Sequence, residues 1–374
     1  MISRIDRYVF REWAKVFALT LLAVKGLLVL DDVQSNLPDL LDFGAGTEEI
    51  IRYYALTLPT YLPHVIPLSV LVSLLFALGQ LHRYHEITAM RCAGLGLFRI
   101  TRSLWAAGAF LALLLFYLNA DWIPNAVESS RTLRDNLRYE REIDLAATED
   151  VGIIHNLTFY NHADGRLWFV NRFSERTYRA YGVTISEIRD SGAREVRRIV
   201  ANEGYFDDIA GIWVLLRGRE TLFSEETGDA VRSIAFEEKV LPDFTEDPEL
   251  MKFLEKRPRD LSFFELQRII TTLSPEEDAR VADYARQYYE ILFNPFGVLI
   301  IVALAIPFAV SGVRTNPMVG VTKSLGLFVV YYLAVNTTRF LGTDYLSPMH
   351  SALLPNLIML AVAGYFFWRA TRPT

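Results

Sequence analysis

Apolar residues crowd the two ends of the chain, and the middle follows a different rhythm. Long apolar runs occupy about 12–31, 53–81, 103–123, 291–313, 318–341 and 346–368. Each meets or approaches the roughly 20 residues a helix needs to cross a hydrocarbon core. Between 151 and 240 apolar and polar positions alternate with period two, which is strand spacing. Candidate strands read GIIHNLTFYN, GRLWFVNRF, YGVTISEI, EVRRIVANEGYF, IWVLLRG and AVRSIAFEE. Turn residues such as His162-Ala163-Asp164-Gly165 and Asp190-Ser191-Gly192 separate them. The pattern predicts an α-helical membrane protein with six transmembrane helices and an inserted extracytoplasmic all-β jelly-roll domain. The expected boundaries are 1–139 for the first three spans, 140–260 for the β insert and 261–374 for the last three.

Local signals refine the helices. Lys25 interrupts the first run, whose head MISRIDRYVFREW resembles a signal-peptide n-region. No A-x-A cleavage site follows it, so it reads as an uncleaved first span. Pro59, Pro63 and Pro67 recur every four residues in the second run, either as a kinked, tightly packed helix entry or as a deformable cavity wall. Ser274-Pro275-Glu276-Glu277 has the N-cap, first-turn proline and capping-box acid of a helix start. Pro295 is placed to bend the fourth span.

Charge orients the bundle. Arg4, Arg7 and Arg11 precede the first span, and Arg83, Arg91, Arg99 and Arg102 fall between the second and third. Arg314 and Lys323 flank the fourth-to-fifth connection, and Arg369 and Arg372 follow the sixth span. The segment Asp31–Glu49 carries six acids and no Lys or Arg. The positive-inside rule then predicts both termini in the cytoplasm and the β insert outside. With 374 residues, a net charge of -6 and a single cysteine, Cys92, the chain has no disulfide framework.

Candidate chemistry is sparse. No GxxxxGK[ST] phosphate loop occurs, which excludes ATP hydrolysis by that route. His82 and His85 share a helix face but have no further ligand candidates beside them, so they read as a solvated pair, with no metal, cofactor or catalytic set. Misplaced charge is more informative. Arg131, Arg134, Arg138 and Arg141 lie on one helix face just after the third span, on the side where basic residues are disfavoured. They form either a solvated face or a ladder for an anionic ligand, since guanidinium binds phosphate through paired hydrogen bonds. Lys25, and Arg339 near the end of the fifth run, face a cavity or partner, or else snorkel to an interface. The stretch HRYHEITAMRCAGLGLFRI at 82–100 reads as an interfacial helix of about 82–99. Lipid headgroups account for its arginines but not for Glu86, which a basic or hydrogen-bonding partner groove would explain. The β insert serves as a passive cap or offers an open edge for strand addition.

The order of these parts resembles the lipopolysaccharide export permeases, the LptF/LptG (YjgP/YjgQ) family, over essentially the whole chain. HEITAMRCAGLGLFRI is similar to the family's coupling helix, ILFNPFGVLIIVALAIPFAV looks like its fourth span, and LLPNLIMLAVAGYFF resembles its C-terminal span. Pro124 followed by Arg131 and Arg134 is similar to the LptG branch. The resemblance implies a non-catalytic permease subunit of an ATP-driven ABC transporter that takes lipopolysaccharide from the inner membrane toward the outer membrane. It implies a second LptF/LptG-type permease as heterodimer partner, a dimer of the cytoplasmic ATPase LptB, and the periplasmic jellyroll proteins LptC and LptA. It also implies that spans one and five of each permease form the lateral gate. Carried over, Glu86 is the coupling acid, with Arg83, Met90 and Arg91 around it, and Arg131 and Arg134 contact substrate phosphates, with Arg138 and Lys25 in the same set. The family's basic residue in span one does not align with Lys25. The competing class is a membrane-anchored periplasmic β-domain acting as receptor or assembly scaffold, which has no use for Glu86 on a cytoplasmic helix.

Overall fold

The apolar runs become long helices, and several extend past the hydrophobic segment that predicts them. A computed structural model describes residues 4–144, 153–161, 164–174, 177–189, 194–207, 210–224, 227–242, 244, 246, 250, 253–254, 256–273, 279–310, 317–341 and 346–371. The chain divides into two units, residues 1–141 with 285–374, and residues 142–284. In chain order the helices are α1 (Arg4–Asp42), α2 (Thr47–Thr57), α3 (Leu62–Arg83), α4 (Glu86–Cys92), α5 (Leu97–Tyr117) and α6 (Ile123–Asp144). After the sheet come α7 (Phe263–Thr272), α8 (Ala279–Phe293), α9 (Gly297–Val310), α10 (Pro317–Leu341) and α11 (Pro348–Thr371).

Four helical stretches among the described residues are long and apolar enough to cross a membrane: Thr47–Arg83, Leu97–Arg134, Val281–Val310 and Pro348–Thr371. The first and fifth expected spans fall on α1 and α10, helices of 39 and 25 residues outside that set. Polar positions thin their apolar runs: Lys25, Asp31 and Asp32 in α1, and Asn336 to Arg339 in α10. Prolines mark where helices change pitch. Pro59 sits in a 3₁₀ turn, Leu58–Tyr61, that carries α2 into α3. Pro295 sits in another, Asn294–Phe296, between α8 and α9. A π turn, Leu118–Trp122, joins α5 to α6 just before Pro124. Pro124 has no N–H for the usual bond four residues back, which favours the wider turn there. The arginine-bearing segment is therefore a helical extension of the third span.

At the centre of this unit is α9, apolar all round and almost wholly buried against α3, α5, α10 and α11. A helix without a polar face belongs in a core. Gly297 opens it because a Cβ there would lie 2.5 Å from the Tyr331 hydroxyl. That hydroxyl donates to Asn356 Oδ1 at 2.7 Å inside the bundle. By contrast α1, packed on α3 and α5, exposes Leu19, Leu22, Leu27 and Leu30, and α10 exposes Leu325, Val329, Val330 and Leu333.

The second unit is one antiparallel sheet. Its strands are β1 (Ile153–Asn161), β2 (Arg166–Ser174), β3 (Arg179–Arg189), β4 (Arg194–Asp207), β5 (Ile212–Phe223) and β6 (Ala230–Leu241), paired in sequence order. All six candidate strands form, and β5 extends five residues beyond IWVLLRG because β6 pairs with it to its end. The order among the described strands is a meander, without the crossing connections of a jelly roll. It becomes two layers by creasing. The row Asn156, Asn171, Gly182, Asn202, Arg217 and Glu237 falls out of the cross-strand register on every strand. Alternate strands are left-handed in that row: Asn156 at φ 57°, Gly182 at 66° and Arg217 at 51°. Inward residues across the row are therefore three apart rather than two, as in Val170 with Phe173 and Ala180 with Val183. Trp168 of β2 then meets Trp213 of β5 at 5.1 Å, where a flat sheet would hold those strands about 14 Å apart.

Arg166 and Glu246, both buried, seal one end of this core, and the Trp213 indole donates to the Glu246 carbonyl. In α7 a capping box forms at Ser262 and Glu265. The Ser274–Glu277 helix signal lies outside the described residues.

Candidate functional site

The stretch 82–99 does not make a single interfacial helix. His85, left-handed at φ 59°, ends the turn after α3 and starts α4, which lasts only from Glu86 to Cys92. Gly94, also left-handed at φ 86°, closes it, and α5 begins at Leu97. The helix expected over about 82–99 is thus cut by a glycine turn, because glycine takes that φ without strain. Ile87 is buried and Met90 packs half-buried on the bundle core, so these two anchor α4. Arg83 and Arg91 are exposed.

Glu86 is half-buried and accepts a hydrogen bond from the Tyr8 hydroxyl at 2.8 Å. That bond to the carboxylate, then burial, then the charge of Glu86, raise the Tyr8 pKa. Around Tyr8 the first turns of α1 are tied down on other sides. Asp6, buried, pairs with Arg102 of α5, and the Trp13 indole donates to Ser73 Oγ of α3 at 3.0 Å. The Tyr8–Glu86 bond is thus a direct contact between α4 and α1. Read only as the head of an uncleaved first span, MISRIDRYVFREW left Tyr8 without a role. The signal was present in the buried Asp6, Val9 and Trp13, spaced three and four apart along one face.

The basic candidates separate. On α6, Arg131 is exposed, and Arg134 bonds Asp39 of α1 at 2.8 Å with both side chains partly exposed. Leu137, buried one turn on, packs with Leu40 and Tyr53 and fixes the presentation of α6. The side chain of Arg138 lies outside the described residues. Lys25 is half-buried on α1, and no ion pair or hydrogen bond holds it among the described residues. Arg339 has a definite partner: its guanidinium takes both oxygens of Glu290 on α8, and Arg286 lies beside the same carboxylate. Among the described residues no group of three or more His, Cys, Asp or Glu is placed to hold a metal ion.

A family model described as lipopolysaccharide export system permease LptF/LptG matches residues 7–369. The chain belongs to the LptF/LptG family. No curated protein matches it. Membership makes the chain a multi-pass inner-membrane component of lipopolysaccharide transport, and the six-stranded sheet is the β domain inserted in its helical part.

Proposed function

We propose that this chain is a permease subunit of an ATP-driven ABC transporter that extracts lipopolysaccharide from the inner membrane and hands it to a periplasmic β-jellyroll bridge. The family match across residues 7–369 carries the reading. In it, α1 and α10 join the four long apolar stretches as six spans, both termini are cytoplasmic and the sheet is periplasmic. The basic flanks of the short connections support that orientation. The exposed leucine and valine faces of α1 and α10 suit pairing with a second LptF/LptG-type permease, where the lateral gate would form. LptB hydrolyses ATP on the cytoplasmic side, and the sheet passes substrate to LptC and LptA.

Glu86 is the coupling acid in this reading, with Arg83 and Arg91 exposed around it. Its present partner is a neutral phenol, which supplies a hydrogen bond but no counter-charge, whereas a basic group of the ATPase would supply both. Arg131 and Arg134 are the phosphate contacts. The Arg134–Asp39 pair does not block that role: a partly exposed pair is worth about 0–1 kcal/mol, less than a charge-assisted phosphate bond.

The deciding experiment isolates the chain with its bound proteins and lipid in mild detergent, then reconstitutes the complex with Glu86→Ala. The expected complex contains a second permease, a cytoplasmic ATPase and lipopolysaccharide. The variant should keep ATP hydrolysis while export falls about tenfold or more, the loss of one charge-assisted contact. Tyr8→Phe, which keeps the acid and frees it, should lose less. A chain that captures no ATPase would be the anchored β scaffold instead, and normal export without Glu86 would overturn its role as the coupling acid.

A further inference from the structure

Four carboxylates are buried among the described residues: Asp6, Asp32, Glu246 and Glu290. Three of them face an arginine, as Asp6–Arg102, Glu246–Arg166 and Glu290–Arg339. Asp32 does not. It sits on α1, 8% exposed, with no basic side chain in ion-pair contact among the described residues. A buried carboxylate without a counter-charge is costly, so something neutralises it.

The geometry around Asp32 shows what kind of group fits. Its Oδ1 accepts from the Tyr61 hydroxyl at 2.6 Å and from Asn36 Nδ2 at 2.8 Å. Its Oδ2 is buried and has no hydrogen-bond partner among the described residues, and neither has the Tyr54 hydroxyl, while Thr57 bonds the neighbouring Tyr53. Tyr54, Thr57 and Tyr61 follow one another at offsets of three and four along the helical path of α2 and the 3₁₀ turn after it. That spacing puts them on one stripe, and the Tyr61 bond shows that the stripe faces Asp32. Asp32 also interacts electrostatically with Tyr54. One carboxylate oxygen and the Tyr54 hydroxyl are thus left open between α1 and α2, with the Thr57 hydroxyl on the same stripe.

We propose that this is a binding site for a hard monovalent cation, Na⁺ or K⁺. Oxygen-only donors select hard cations, and one carboxylate with neutral hydroxyls balances a single positive charge. A divalent ion would leave excess charge in apolar surroundings. A transition metal would want imidazole or thiolate, which the site lacks. Water would satisfy the hydrogen bonds but not the charge. The acidic stretch 31–49, without Lys or Arg, raises the local cation concentration at the same end of α1. The bound ion would tie α1 to α2 at the end opposite the Tyr8–Glu86 contact, so both ends of α1 would be held by separable contacts.

The test uses the full-length chain in detergent. Its unfolding temperature is followed while NaCl or KCl replaces N-methyl-D-glucamine chloride at constant ionic strength. The expected result is a saturable rise with Na⁺ or K⁺, since a ligand bound only to the folded state stabilises by mass action. Asp32→Asn, which keeps the shape and removes the charge, should abolish the rise, while Asp31→Asn should retain it. Tyr54→Phe should raise the half-saturating concentration about tenfold, equivalent to about 1.4 kcal/mol. If Asp32→Asn does not fold, Tyr54→Phe decides. The same unfolding temperature of the wild type in all three salts would overturn the site, as would an undiminished rise in Asp32→Asn or an unshifted midpoint in Tyr54→Phe.

Discussion

The two units handle their buried and half-buried charges differently. In the β unit Glu187, Glu220 and Glu246 each have a base on a neighbouring strand or loop. Glu187 of β3 bonds Arg197 of β4 at 2.9 Å, Arg197 bonds Glu220 of β5 at 2.6 Å, and Lys239 of β6 reaches Glu220. Glu246 is held by Arg166 and Asn161. Burial alone would push the Glu220 carboxyl up, but bonds from Lys239 and Arg197 outweigh it and hold its pKa below the ordinary glutamate value. In the helical unit only some acids are served this way. Glu290 and Asp6 have arginines, Glu86 has a phenol and Asp32 has no cation. Charges that only hold a fold carry their partners within it. Glu86 and Asp32, for which roles toward a partner protein and a ligand are proposed, have no base beside them among the described residues.

Mutations can break that comparison, and the largest effect belongs to a structural acid. Glu290→Ala would leave the half-buried Arg339 without its carboxylate, so thermal unfolding of the purified chain should show a loss of about 3 kcal/mol. Replacing both Glu290 and Arg339 by Met should recover most of it. A loss no greater than that of Glu86→Ala would erase the distinction between the two acids. Next comes substrate. Arg131→Ala with Arg134→Ala should weaken lipopolysaccharide crosslinking by about 1.5–3 kcal/mol per phosphate contact. Arg219→Ala with Arg232→Ala, exposed in the sheet, should weaken it by no more than about 1 kcal/mol. Arg217 is a poor control because it is left-handed and paired with Glu203. Equal binding in the two double variants would make the ladder a solvated face.

The smallest effect sharpens the β side. The folded pKa of Glu220 is depressed, so its contribution to stability is complete above the unfolded value and is lost as pH falls through the folded one. Glu220→Gln should therefore cost about 1 kcal/mol at neutral pH, with the gap to wild type closing below the ordinary glutamate range. Unfolding measured from about pH 7 down to about pH 2.5 checks it. A gap independent of pH would mean that Glu220 acts through packing rather than charge.

Much of this was legible from local pattern. The strands could be bounded to within a few residues because a half-buried sheet alternates with period two and its turns carry Asp, Gly and Asn. Long apolar runs marked helices because nothing else satisfies their backbone inside a membrane. The acid Glu86 stood out against its basic neighbours. Its phenol partner did not, since Tyr8 lies 78 residues away in the head of the first span. The glycine at 94 was visible, yet its left-handed turn, which shortens the expected helix to Glu86–Cys92, was not inferred from it.

By itself the sequence determined the family, the alternation of apolar helices with a β insert, and the positions of anomalous charge. These follow from the spacing of residues along a regular element, and spacing is a local property. Tertiary structure decided which charges are answered. Arg339 found Glu290 on another helix, Arg134 found Asp39, and Asp32 was enclosed by Tyr61 and Asn36 without a base. It also decided that a plain meander doubles over along one row of left-handed and unpaired residues. Partner choice between distant segments depends on how helices and strands pack, and side chains 49 to 95 residues apart leave no periodic trace in the chain.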